Sequence, residues 1–227
     1  MQSELIDYLS TYVTPERLSL FEKILKNRTY YFTVVLEDIY QSQNASAVLR
    51  TCDCFGIQNV NVIENRNTFN VNKEVALGAS KWLSIRKFTD CKNNSLEAIQ
   101  TLKKVGFRIV ATSPHVNDTL LDDFDIDKGK AAFVFGSELP GISETIMNEA
   151  DEFVKIPMFG FTESFNISVS AAIILHHLTD KLHKNPNIHW KLTSEEKAEI
   201  RLQWLRKTIK RSDLLEQLFS EQRNRPE

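Results

Sequence analysis

The sequence predicts an α/β domain with a mostly parallel sheet and helices on both faces. Three observations carry this. Short runs rich in β-branched and aromatic residues alternate with amphipathic helical stretches along most of the chain, the pattern of successive strand–helix–strand units. The run 131–135 (AAFVF) is apolar at every position, as in a strand covered on both faces. Glycine is scarce, seven in 227 residues against a usual share of about 7%, yet three of the seven lie between positions 136 and 160. Those three follow two successive apolar strands, so backbone approaches something closely there.

Taken in order, Thr14-Pro15 pairs an N-cap type with proline at the first helical position. Leu18, Phe21, Ile24 and Leu25 share one face of that helix, with Arg17, Lys23, Lys26 and Arg28 off it. Residues 30–36 (YYFTVVL) read as the first strand. Residues 44–55 are amphipathic: Ala45, Val48, Leu49, Cys52 and Phe55 form a stripe, Gly56 is the stop, and Asn44 stands at the N-cap. Arg50 projects from the opposite side. Strands follow at 60–63 and 82–88, with a short helix or turn at 73–80 between them. A helix at 95–105 is closed by Gly106 and followed by the strand 107–111 and the polar turn Thr112-Ser113-Pro114. Beyond an acidic linker come the strand 131–135, the stretch Gly136-Ser137-Glu138-Leu139-Pro140-Gly141 and a helix over 143–150.

Residues 153–156 are extended and stop at Pro157, which a central strand excludes. A loop around Gly160 leads into a helix starting near Ser164 and Asn166, both good N-cap types. The exposed N–H groups of such a helix attract polar or anionic ligand groups. A polar loop between a buried strand and an apolar helix is where α/β proteins build sites. An ordinary crossover with a polar cap has the same pattern. Thr193-Ser194-Glu195-Glu196 has the spacing of a capping box. The helix it opens has Ala198, Leu202, Leu205 and Ile209 on one face, and Lys197, Arg201, Arg206, Lys207, Lys210 and Arg211 over much of the rest. The expected organisation is a basic helical extension over 1–28, the α/β domain over 29–182 and a second basic helical extension over 183–227.

Composition excludes several classes. Hydrophobic residues make up 42% and charged residues 26%, ordinary for a globular protein. No apolar run approaches the roughly 20 residues of a membrane span, and the early acids of the N-terminus do not form a signal peptide. Three cysteines with no C-x-x-C suggest reduced thiols and a cytoplasmic protein. Cys52 and Cys54 point to different faces of one helix, so no metal site is expected. Gly136 to Gly141 has P-loop spacing, but Ile142-Ser143 follows where Lys-Ser/Thr is required, and without the lysine the chemistry is unsupported. G-x-G-x-x-G after the first strand and G-x-S-x-G are both absent, and adjacent His176 and His177 face about 100° apart.

The net charge of −2 hides a segregation. Residues 118–152 hold ten acids and two lysines, whereas 181–211 hold nine Lys or Arg and three acids. Residues 15–28 hold four basic and two acidic residues. Basic ends around an acidic middle point to a polyanion gripped by the ends, although a solvated helix surface carries such runs too.

Three stretches go further. NASAVLRTCDCFGIQNVNVIE, FVFGSELPGISETIMNEAD and KIPMFGFTESFNISVSAAIIL resemble, in order, the three motifs of the SpoU/TrmH-type RNA ribose methyltransferases of the SPOUT superfamily. The resemblance implies 2′-O-methylation of an RNA ribose with S-adenosyl-L-methionine as cofactor. It also implies a deep C-terminal trefoil knot and a homodimer whose active site takes residues from both subunits. Residue by residue, Asn44 and Arg50 match the first motif, Glu138 the second, and Ser164 and Asn166 the third. By the same resemblance these five are the catalytic set, with backbone at Thr112, Gly136, Ile156 and Phe165 binding the cofactor. Two roles stay open for Arg50. Arginine normally stays protonated and is a poor base, so holding a phosphate and stabilising alkoxide charge is physically easier than proton abstraction. Phe165 and Ser170 depart from the usual Leu and Ala of the third motif.

The ribosomal-RNA branch of this family often carries an N-terminal RNA-binding domain, and the roughly 28 residues before the first strand are too few for one. The basic ends resemble the branch that methylates guanosine 18 in the tRNA D-loop. Phosphate contacts are then expected from Arg17, Lys23, Lys26, Arg28, Lys197, Arg201, Lys207 and Lys210. Ribosomal RNA as substrate, and an RNA-binding protein that has lost the chemistry, are the alternatives.

Overall fold

The computed structural model describes residues 2–113, 119–138 and 141–223. Helices α1 (Gln2–Ser10) and α2 (Pro15–Leu25) precede strand β1 (Phe32–Glu37), helix α3 (Ser42–Cys54) and strand β2 (Asn59–Ile63). Then come α4 (Lys73–Ala76), β3 (Ser84–Phe88), α5 (Asn94–Lys104), β4 (Arg108–Thr112), β5 (Thr119–Leu120) and β6 (Ala131–Phe135). The chain continues through α6 (Glu144–Glu149), β7 (Glu152–Lys155), α7 (Ile167–Lys184), α8 (Ser194–Thr208) and α9 (Ser212–Arg223). The chain divides into two compact units, Thr29–Trp190 and Met1–Arg28 with Lys191–Glu227.

The larger unit is built on a seven-stranded sheet in the order β3-β2-β1-β6-β4-β7-β5. Every pairing in it is parallel. The two central strands, β1 and β6, are buried at every position, as the uninterrupted apolar run of β6 requires; β1 buries Thr33 and Glu37 along with its apolar residues. Their ladder runs from Phe32 opposite Ala131 to Leu36 opposite Phe135. Chain order reverses at this pair: β2 and β3 extend to one side, β4, β7 and β5 to the other. In open parallel sheets, ligands bind outside the carboxyl ends of strands near such a reversal. One side of the sheet packs on α3 and α7, and the other on α5 and α6.

Beyond α7 the chain stays with this unit as far as Trp190. Asn185 Nδ2 donates to Asp127 Oδ1 at 2.9 Å, and Thr29 Oγ1 donates to the Trp190 carbonyl at 2.7 Å. The contacts therefore part after Trp190, beyond the break expected after residue 182.

Two departures from the sequence reading have local causes. The acidic linker contains β5 and a 3-10 turn at Leu121–Asp123. β5 is two residues long, too short to show a period, and is followed by buried Leu121, Phe124 and Ile126. Helix α3 begins at Ser42 behind Gln41, so Asn44 lies inside the first turn and is not the N-cap. Gln41 makes no side-chain cap, so the polar cue drew the boundary to the wrong residue.

In the smaller unit, Thr14 caps α2 by accepting from the Arg17 N–H, and Thr193 and Glu196 complete a capping box on α8. Trp204, 1% exposed, is the largest fully buried side chain. Phe21 meets it edge-on at 5.3 Å, and the Arg28 guanidinium stands 5.5 Å from its ring centroid. Arg28 is itself only 1% exposed. It was expected to offer its charge to phosphate, but it is a core residue stacked on an indole. Arg201 pairs with Glu22, and the Arg206 guanidinium makes two 2.8 Å bonds to the Glu216 carboxylate. Among the described residues, no helix is long and apolar enough to cross a membrane.

Trp204→Ala removes an indole that closes this small core. It is expected to cost about 3–5 kcal/mol of stability, measured by urea unfolding followed by circular dichroism.

Candidate ligand-binding cleft

A cleft of about 710 Å³ opens at the carboxyl ends of β4, β6 and β7. Its position follows from the sheet: where parallel strands end, backbone groups leave the ladder and face outward. Thr112 and Ser113 line it from β4, Phe135 and Gly136 from β6, and Val154, Lys155 and Ile156 from β7. The entry to α7, Ser164 to Ile167, forms a further wall. Thr112 turns its hydroxyl back onto the sheet, donating to the Val134 carbonyl at 2.8 Å. Among the described residues, no cluster of three or more His, Cys, Asp or Glu could hold a metal.

Glycine is obligatory at one point. A Cβ on Gly136 would fall 2.4 Å from the Gly141 carbonyl carbon and oxygen and 2.5 Å from the Ile142 nitrogen, all backbone atoms. The chain doubles back there, with Ser137 bridging to Gly141. Gly141 has φ +87°, a region that other residues rarely adopt. Leu139 and Pro140 of this loop, Pro114 of the expected cofactor turn and His115 lie outside the described residues.

Three of the five expected catalytic residues meet in one hydrogen-bond chain. Asn44, 9% exposed, donates through Nδ2 to Glu138 Oε1 and to Gln41 Oε1. Its Oδ1 accepts from Asn166 Nδ2 at 3.1 Å. Asn166 is also the N-cap of α7, accepting from the Ser168 N–H at 2.8 Å. One amide thus joins α3, the glycine loop and the start of α7.

Ser164 lines the same cleft beside Phe165. Arg50 does not. It is exposed on α3, six positions and about 9 Å of helix rise beyond Asn44, and faces another direction. All four expected cofactor residues, Thr112, Gly136, Ile156 and Phe165, line the cleft.

Of the expected phosphate contacts, Arg17, Lys23, Lys26, Lys207 and Lys210 are exposed, Lys197 and Arg201 are partly buried, and Arg28 is buried. Sequence reasoning missed Gln41, whose oxygen steadies Asn44, and the exposed rings of Phe159 and Phe161, 96% and 108% accessible. It also missed Glu37, whose signal was a lone charge ending an otherwise apolar strand.

An open parallel sheet with a backbone-lined cleft at its carboxyl edge, walled by a helix N-terminus, defines an α/β protein of the ligand-binding, enzyme-bearing class. Comparison with known proteins narrows the class. Residues 31–176 match the model of the SpoU rRNA Methylase family, and the chain belongs to that family.

The chain is 42% identical over 215 residues to the tRNA (guanosine(18)-2′-O)-methyltransferase of Borreliella burgdorferi, covering 95% of this chain and 96% of that one. The crystal structure of a TrmH/SpoU tRNA modifying enzyme from Aquifex aeolicus superposes with a TM-score of 0.76 at 27% identity, over 86% of this chain and 98% of that one. The SpoU methyltransferase AviRb of Streptomyces viridochromogenes, solved with the cofactor AdoMet, shares the fold. Its TM-score is 0.55 at 18% identity, over 70% of this chain and 60% of that one.

The clash at Gly136 makes a paired prediction. Gly136→Ala is expected to lose about 1–3 kcal/mol through overpacking. Gly160→Ala, whose Cβ would have its nearest atom 4.0 Å away, should leave the melting temperature within about a degree. Thermal melts of the two variants beside wild type check both.

Proposed function

We propose that the protein is an S-adenosyl-L-methionine-dependent RNA ribose 2′-O-methyltransferase acting on guanosine 18 in the D-loop of tRNA. The observation that carries this reading is the Glu138–Asn44–Asn166 chain beside a backbone-lined cleft, made by the three stretches that resemble the family motifs. The tRNA substrate rests on the Borreliella enzyme, matched over nearly its whole length.

The residues present fit the cofactor. The cleft lies within the roughly 300–1,000 Å³ of small-molecule sites. It offers backbone groups at Thr112, Gly136, Ile156 and Phe165, and bare backbone where a side chain at Gly136 would intrude. S-adenosyl-L-methionine supplies an activated methyl group when bound. Asn44, Glu138 and Asn166 fix the rim of the cleft, and Ser164 adds a hydroxyl beside it.

Arg50 holds the phosphate next to the reacting ribose and stabilises charge developing on its 2′-oxygen, a role open to a guanidinium that stays protonated. Because Arg50 faces away from its own cleft, it serves the site of a second subunit in a homodimer. The exposed Phe159 and Phe161, on the loop that leads to the cleft wall, give that interface apolar surface. The same loop and α7 close a trefoil knot. β7 lies between the earlier strands β4 and β5, as a late-threaded segment would.

In this reading the two termini supply helical phosphate-binding surfaces, and residues 29–182 form the methyltransferase domain. Contacts come from Arg17, Lys23, Lys26, Lys207 and Lys210, with Lys197 and Arg201 beside them. The cytoplasm, where such thiols stay reduced, is the proposed location.

Labelled methyl groups from the cofactor should appear on unmodified tRNA and not on ribosomal RNA, at the 2′-oxygen of guanosine 18. Arg50→Ala should lower kcat by about a hundredfold or more without preventing cofactor binding. Labelling of neither RNA by the wild type, or an unchanged rate in Arg50→Ala, would contradict the assignment. Affinity for tRNA should fall by more than about a hundredfold between 50 and 200 mM salt, read by filter binding.

A further inference from the structure

We infer that Glu37 is a positioning residue for the cofactor: its buried carboxylate holds Ser143, and with it the neighbouring Gly141 and Ile142 of the cleft wall, in place. The inference rests on the reading of the cleft as the cofactor site.

Glu37 is the last residue of β1 and only 2% exposed. A carboxylate so placed is costly unless hydrogen-bonded. Three donors meet it: Ser95 Oγ at 2.5 Å and Ser143 Oγ at 2.6 Å on Oε1, and the Ser143 backbone N–H at 2.9 Å on Oε2. All three donors are uncharged, so hydrogen bonds and not an ion pair hold the carboxylate.

The two bonds to Ser143 grip one residue through backbone and side chain together, which fixes its orientation as well as its place. Ser143 is in turn the N-cap of α6, accepting from the Ile146 N–H at 3.3 Å. The carboxylate thereby sets where the loop ends and the helix begins.

The other end of the loop leaves β6 at Phe135, which is in register with Leu36, the residue before Glu37. Glu37 is thus bonded to Ser143 and adjacent in sequence to the residue paired with Phe135, and a side chain at Gly136 would already strike the backbone of Gly141 and Ile142. Gly136, Gly141 and Ile142 all line the cleft. Loosening Ser143 lets Gly141 and Ile142 relax away from Gly136, and so from the close backbone approach at the cleft wall.

Glu37→Gln keeps size and shape but sets an amide N–H₂ or a single oxygen where two acceptors are required. Ser143→Ala removes one of the two grips and spares the fold if the first variant proves insoluble. Both are expected to raise the KM for S-adenosyl-L-methionine about tenfold while kcat at saturating cofactor stays within about twofold. The dissociation constant for S-adenosylhomocysteine, read by calorimetry, should rise in parallel. In the double variant the two effects should be less than additive, because both act through one contact.

Asn61→Ala is the stability control. Asn61 is buried on β2, bonded to Thr33 at 3.0 Å and remote from the loop. It should lower the melting temperature yet keep the wild-type KM. Cofactor constants unchanged in both Glu37→Gln and Ser143→Ala, or raised as much by Asn61→Ala, overturn the role of Glu37. A wild-type protein that binds no cofactor overturns the reading of the cleft itself, and this inference with it.

Discussion

The side-chain amide of Asn44 holds together three pieces of chain that are remote in sequence. Its partners Glu138 and Asn166 lie 94 and 122 residues away. A buried amide must satisfy both its donor and its acceptor ends, and here each end has a different partner. The polarity matters. Asn166 Oδ1 already accepts from the Ser168 N–H and hydroxyl, so only its Nδ2 is left to meet an oxygen. Glu138 offers only oxygen. The bridging residue must therefore donate on one side and accept on the other, which an amide does and a carboxylate or an apolar side chain does not. The cap of α7, the entry of α3 and the glycine loop take their relative places from this one group.

The parallel sheet determines where that group acts. Burial of β1 and β6 on both faces leaves only their ends for chemistry, and the reversal of strand order opens space at the carboxyl edge. Glycine supplies what side chains would obstruct. The close approach of Gly136 to Gly141 gives the cleft a wall of backbone, suited to a ligand recognised largely through main-chain groups. Glu37 and Ser143 hold that wall from behind.

Much of this was legible in the sequence, because the signals were strong and local. The run 131–135 matches β6 residue for residue, and Thr14-Pro15 and the box at Thr193 mark the helix starts they were read as marking. The misreadings came where a local signal was weak or a distant partner decided the outcome. Gln41 caps α3 without a side-chain bond, so Asn44 was taken for the cap when it was the bridge. Arg28 lies three residues past the end of α2, outside its helical pattern, and is buried with its guanidinium against Trp204 from the far end of the chain. Helix α9 went unread although Leu214, Leu215, Leu218 and Phe219 recur at helical spacing, and none of them is fully buried. The chemistry was legible only by resemblance: periodicity places Asn44 and Arg50 on one helix, but no spacing rule joins them to Glu138 or Asn166.

Hydrogen exchange of the protein with and without S-adenosylhomocysteine tests the central claim most directly, since it reports where the ligand sits without presuming turnover. Protection is predicted at residues 112–113, 136–143 and 154–167, with the edge strand β3 and helix α9 unchanged. Protection centred elsewhere, or none at saturating ligand, would contradict the account.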